Sequence, residues 1–133
     1  MKQLTGSCLC NNIEVSLPDD FDYMGNCHCS ECRKLSGSDY AAVGGIDSDK
    51  FQLVRGQEYL HIYHKSDETD ITFCKNCSST LFSRKKSSKK HNIRLGILDN
   101  PPRQKPSFHI FTKSKAPWSE ITDNLPQFEK QPD

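Results

Sequence analysis

Cys27-His28-Cys29-Ser30-Glu31-Cys32 places three thiols within six residues, and Cys8-Leu9-Cys10 and Cys74-Lys75-Asn76-Cys77 supply the other four of the chain's seven cysteines. Three short clusters of this kind have the spacing of metal knuckles. An odd count would strand one thiol in a purely disulfide framework, whereas thiolates sharing metal ions need not be even in number. Residues 1–10 hold no apolar run of signal-peptide length, and no stretch approaches the roughly 20 apolar residues of a membrane span. A reducing, cytoplasmic setting is therefore expected, and zinc is the expected staple of the fold.

Such a staple is needed. The 133-residue chain has 34% apolar residues and a mean hydropathy of −0.73, so apolar burial alone leaves a domain of this size marginal. No Gly/Ser-rich or proline-rich linker divides it, which predicts one domain. A formal charge of +1 does not describe a globally basic nucleic-acid binder.

The sulfurs divide unevenly. Cys74-x-x-Cys77 has knuckle spacing, and the βαβ surroundings of a thioredoxin-type redox pair are missing. Cys8 and Cys10, two residues apart, fall on one face of an extended strand, where a bend converges them on one ion. Together the two pairs make a closed four-thiolate shell, which should be structural. Cys27, Cys29 and Cys32 supply three ligands, and three leave the fourth position of zinc to water or substrate. The alternative is a fourth ligand from His28, His61, His64, His91 or His109; His28, wedged between two ligands, is expected to point away from the ion they share.

Outward from the cysteines the chain reads as short strands. Residues 12–17 alternate polar and apolar ahead of the turn Pro18-Asp19-Asp20. Similar runs recur at 40–43, 51–54, 59–63, 71–73, 80–83, 93–98 and 108–111, separated mostly by Gly, Asp, Asn, Ser or Pro. Ser30 is the expected cap of one or two helical turns ending at Gly37, and residues 117–121 could start a second short helix. The basic run Arg84-Lys85-Lys86-Ser87-Ser88-Lys89-Lys90 belongs in a hairpin loop; it lacks the interleaved aromatics of a nucleic-acid stacking surface. Residues 129–133 are expected to fray.

These residues resemble the glutathione-dependent formaldehyde-activating enzymes, a family that includes the centromere protein V group. The resemblance rests on Gly6-Ser7-Cys8-Leu9-Cys10, Cys27-His28-Cys29-Ser30-Glu31-Cys32-Arg33-Lys34 with Gly37, Phe73-Cys74-Lys75-Asn76-Cys77, Ser79-Thr80-Leu81-Phe82 and Gly96-Ile97-Leu98-Asp99. It continues through His109-Ile110-Phe111, Ser114-Lys115-Ala116-Pro117-Trp118 and Asp123 to Phe128. Asn11 and Ser78 depart from it, standing where glycine is usual after each ligand pair.

The resemblance implies a single domain over residues 3–129 with a mainly β, β-tent fold of short antiparallel strands, one or two short helices and a zinc staple. It implies two zinc ions: a structural one on Cys8, Cys10, Cys74 and Cys77, and one at a catalytic centre formed by Cys27, Cys29 and Cys32. The implied activity is that of a carbon-sulfur lyase joining glutathione, or a similar small thiol, to formaldehyde, giving S-(hydroxymethyl)glutathione. Arg33 and Lys34 are candidate contacts for the substrate carboxylates, with His109, Lys113 and Trp118 behind them. Neither a membrane nor a nucleic-acid partner is implied, and nothing in the sequence specifies an oligomer. The contrasting reading is a non-catalytic zinc-ribbon-like module that binds protein or nucleic acid.

Overall fold

The computed structural model describes residues 2–131. It is mainly β, with ten strands and one α-helix among the described residues. Strands β1 (Gln3–Ser7), β2 (Glu14–Pro18) and β5 (Gln52–Arg55) form a small antiparallel sheet. A larger sheet runs in the order β10-β3-β4-β9-β8-β7-β6, built from β3 (Tyr23–Cys27), β4 (Ala41–Asp47), β6 (Leu60–His64), β7 (Thr69–Cys74), β8 (Thr80–Lys85), β9 (Lys90–Arg94) and β10 (His109–Ile110). All its pairings are antiparallel except β10 on β3.

Register gives the larger sheet two faces of different character, because residues opposite one another on neighbouring strands share a face. Met24, Gly44, Ile93 and Phe82 lie in one row. With Ile46 and Leu81, the side chains of Met24, Ile93 and Phe82 join Leu4, Ile13, Val15 and Leu17 from the small-sheet region in one buried cluster. Each fully buried aliphatic side chain contributes roughly 1.5–3 kcal/mol. The opposite face carries Tyr23, Asn92, Ser83 and Ile71 in one row, with Val43 beside Arg94 in the next. That face floors a cavity.

The helix α1 (Ser30–Ser36) follows β3 directly and borders this cavity through Glu31, Cys32 and Leu35. Its N-cap is Cys29, one residue earlier than the sequence suggested: the Cys29 sulfur accepts from the Cys32 N–H at 3.2 Å, a position usually filled by a hydroxyl or carboxylate oxygen. Gly37 ends the helix in the left-handed region at φ 61°. The Phe108 ring packs against β3 at Gly25. A Cβ on Gly25 would stand 2.3 Å from that ring, so only glycine lets it approach.

Two sequence expectations are corrected. Residues 117–121 make a turn at Pro117 and Trp118 in place of a helix. The Ser119 carbonyl accepts from Lys115 Nζ, which also donates to the carbonyl of Ala116 just before the segment, and five residues are too few to nucleate a helix unaided. The strand expected over 93–98 ends at Arg94 and passes into a 3₁₀ turn at Leu95–Ile97. The basic run forms the β8–β9 connection, as expected of a hairpin loop. Of the expected frayed tail, Pro132 and Asp133 lie outside the described residues, while the Lys130 carbonyl accepts from the Phe111 N–H at 3.1 Å.

Candidate metal centre and cavity

The seven free thiols gather in two places, divided as the sequence suggested. The sulfurs of Cys8, Cys10, Cys74 and Cys77 form one group and those of Cys27, Cys29 and Cys32 another, all within 4.8 Å of one another inside each group. No His, Asp or Glu joins either group among the described residues.

The four-sulfur group is assembled by two tight turns, one after β1 and one at the end of β7. Backbone N–H groups converge on its sulfurs: Ile13 N–H donates to Cys8 Sγ at 3.3 Å, and Asn76 N–H to Cys74 Sγ at 3.4 Å. Leu9 N–H donates to Ser79 Oγ at 3.0 Å, tying one turn to the other. Sulfur separations are 3.6 Å for Cys8 to Cys10 and 3.7 Å for Cys10 to Cys74. These match the roughly 3.8 Å edge of a tetrahedron with 2.3 Å metal–sulfur bonds, so the donor set fits a zinc ion. Asn11 and Ser78, just beyond the two turns, have φ of 66° and 68°. Both stand in the left-handed region where a glycine would carry no penalty.

The three-sulfur group sits where β3 runs into α1. Cys27 ends the strand, while Cys29 and Cys32, three residues apart, occupy the helix cap and first turn. Crowding couples their ionisation. Hydrogen bonds from Cys27 and Cys32 push the Cys29 thiol far below its ordinary value, whereas donating to Cys29 and Cys32, together with burial, pushes Cys27 up. Three thiolates this close repel one another unless a cation neutralises them. The donor set again suits zinc, three thiolates with a face left open.

That open face meets the cavity. Its volume is about 820 Å³, and Cys27, Cys29 and Cys32 all line it, together with Arg94, Phe108 and Phe111. This is a size that accepts a small peptide or drug-sized molecule. The basic hairpin contributes Lys85, Ser88 and Lys90 to the wall.

His28 turns away from the sulfurs, as expected. Its ring is fully buried, and Nε2 lies 2.9 Å from Nδ1 of His109. His109 Nε2 in turn lies 3.0 Å from Oδ2 of Asp123. Burial lowers the His28 pKa, as does the neighbouring His109. The backbone supports the same connection, with His28 N–H donating to the Ile110 carbonyl at 3.0 Å. His61, His64 and His91 belong to neither sulfur group.

Arg33 and Lys34 do not line the cavity. They border a shallow depression with Gly37, Ser38, Asp39 and Trp118, where Trp118 Nε1 donates to Asp39 Oδ1 at 2.7 Å. Sequence reasoning passed over the cavity-lining Arg94. Its one signal was a charged residue inside the apolar run from Ile93.

Comparison with known proteins places this architecture. A Penicillium rubens protein named for the glutathione-dependent formaldehyde-activating enzymes is 28% identical over 113 residues, covering 80% of this chain and 58% of that protein. A Schizosaccharomyces pombe protein described as an uncharacterized lyase is 29% identical over 82 residues, covering 62% of this chain and 58% of its own length. The chain thus spans a little over half the length of these curated relatives. A crystal structure of a Rhodobacter sphaeroides protein shares the fold, with a TM-score of 0.61 at 24% identity over 77% of this chain and 97% of that one. The sequence profile of the glutathione-dependent formaldehyde-activating enzymes matches residues 3–114, and the chain belongs to that family.

Proposed function

We propose that the chain is a zinc-dependent carbon–sulfur lyase-type enzyme that acts on glutathione or a similar small thiol and its adduct with a small aldehyde. The observation that carries this reading is the placement of three cysteines, with no fourth ligand among the described residues, at the wall of a cavity of about 820 Å³. Cys8, Cys10, Cys74 and Cys77 would hold a structural zinc. Zinc held by Cys27, Cys29 and Cys32 would supply Lewis acidity, favouring the ionised form of an incoming thiol and polarising a carbonyl oxygen.

The chain's own contribution is position. The cavity floor and the aromatic residues 108 and 111 keep thiol and aldehyde together, converting a bimolecular encounter into a local one. In the addition, a carbon–sulfur bond forms, the carbonyl π bond opens, and the thiol proton passes to the former carbonyl oxygen. The reverse breaks the same bond and returns the proton to sulfur.

A binding module without catalysis has less support. The basic run is a hairpin whose Lys85 and Lys90 line the cavity, and Lys90 is held by Asp22 and Asp47. The deciding experiment follows S-(hydroxymethyl)glutathione formation by exchange NMR with zinc-loaded protein. The reading requires acceleration over the uncatalysed addition, lost in Cys29→Ser. A rate equal to that of buffer contradicts it.

A further inference from the structure

Arg94 is a charge that the fold buries without a carboxylate partner; the anionic group its charge reaches is the Cys32 sulfur of the cluster. Only 9% of the residue is exposed, its Nε has no hydrogen-bond partner, and no carboxylate lies within salt-bridge reach among the described residues. Removing a guanidinium from water without a counter-ion is strongly unfavourable. The side chain projects from β9 on the same sheet face as Val43 and Cys27 and lines the cavity.

The other cations of the cavity wall are differently placed. Lys65 pairs with Glu31 at 2.6 Å, and Lys90 is held by Asp22 and Asp47, while Lys85 is exposed. The remaining cavity carboxylate, Glu68, accepts from the Ser87 N–H at 2.7 Å. Among the described residues Arg94 is therefore the cavity cation that is both buried and without a carboxylate partner. Phe111, at the same wall, is held at φ 55°, a conformation unfavourable for a bulky side chain and typical of ligand clamps.

We infer that Arg94 anchors a carboxylate of the thiol ligand and selects anionic thiols over neutral ones. The inference rests on the reading of the cavity as a thiol site. A guanidinium pairs with a carboxylate through two parallel hydrogen bonds, which fixes orientation as well as affinity. With the carboxylate held at β9 and the sulfur at the cysteines of β3 and α1, the ligand spans the cavity in one direction.

The test compares glutathione with its diethyl ester, which keeps the thiol and removes both negative charges. Calorimetric titration of the zinc-loaded wild-type protein should show glutathione binding about ten-fold or more tighter than the ester. Arg94→Gln should bring glutathione down to the affinity of the ester and leave the ester unchanged, while Arg94→Lys should recover part of the preference. Equal binding of both compounds to the wild type overturns the Arg94 assignment and leaves the thiol site standing. Binding of neither overturns both. An equal loss for both compounds in Arg94→Gln, or loss of zinc from that variant, also overturns the assignment, because Arg94 would then be balancing the charge of the cysteine cluster.

Discussion

His28 Nε2 and His109 Nδ1 lie 2.9 Å apart inside the protein, joining a residue flanked by two cluster cysteines to the carboxyl-terminal strand. The second nitrogen of His28, Nδ1, has no partner, so this one contact carries the polar bonding of a fully buried ring. His109→Ala should therefore cost about 2 kcal/mol or more in urea unfolding, since it strands His28 and opens a void. Asp123→Asn, at a half-exposed position that keeps an acceptor, should cost much less. Equal losses would show that the histidine pair is not the tie.

The two sulfur groups should respond differently to loss of one thiol. Cys74 is fully buried and joins β7 to the amino-terminal turn. Cys74→Ser should lower stability by more than about 4 kcal/mol if its group holds a structural ion. Cys29→Ser should leave the far-ultraviolet circular dichroism unchanged and abolish the response to thiols. Equal unfolding by the two substitutions would mean two structural sites.

Asn11 and Ser78 share a left-handed backbone but not its support. Arg55 donates to the Asn11 side chain and carbonyl, each at 3.0 Å, whereas Ser78 is exposed. Ser78→Gly should gain about 0.5–1 kcal/mol, the conformational relief less the added freedom of the unfolded chain. Asn11→Gly should gain less because it loses the Arg55 contact. Thermal midpoints of the two variants distinguish them.

The same two positions mark what the sequence could and could not convey. Their departure from glycine was visible as residue type, and the backbone geometry explains why glycine suits them. The cysteine grouping and the helix ending at Gly37 were legible because they are local patterns. β1 and β3 were not: Gln3–Ser7 contains only one large apolar residue, and Tyr23–Cys27 includes Gly25 and Asn26, so both strands exist through partners elsewhere in the chain. The cavity, Arg94 and the His28–His109–Asp123 series are likewise products of pairing between distant strands, which periodicity along one segment does not encode.

His91 should make stability depend on pH. Its ring stacks on Phe51 at 4.9 Å and lies 4.7 Å from Phe82. Burial, reinforced by the Arg84 charge, lowers its pKa from the ordinary 6.5. The unfolded chain then binds more protons than the folded one between that lowered value and 6.5. The contribution is complete above about pH 6.5 and declines as pH falls through that window. His91→Phe should flatten the decline, the difference from wild type changing by at most about 1.4 kcal/mol per pH unit in urea titrations. Parallel curves would contradict it.

Arg33 and Lys34 border the depression beside Trp118, apart from the cavity lining. The double variant Arg33→Ala, Lys34→Ala should keep glutathione affinity within about two-fold, because the half-buried Arg33 and the exposed Lys34 both lie off the cavity wall. A loss comparable to that of Arg94→Gln would bring these residues into the binding site.

The most direct measurement is X-ray absorption at the zinc edge of protein loaded with two equivalents of metal, before and after glutathione. One ion enclosed by four sulfurs and one held by three give an average of about 3.5 sulfurs per zinc, rising to about 4 as the thiol enters the open position. Four sulfurs per zinc before any thiol is added, or no change on adding it, would contradict the account.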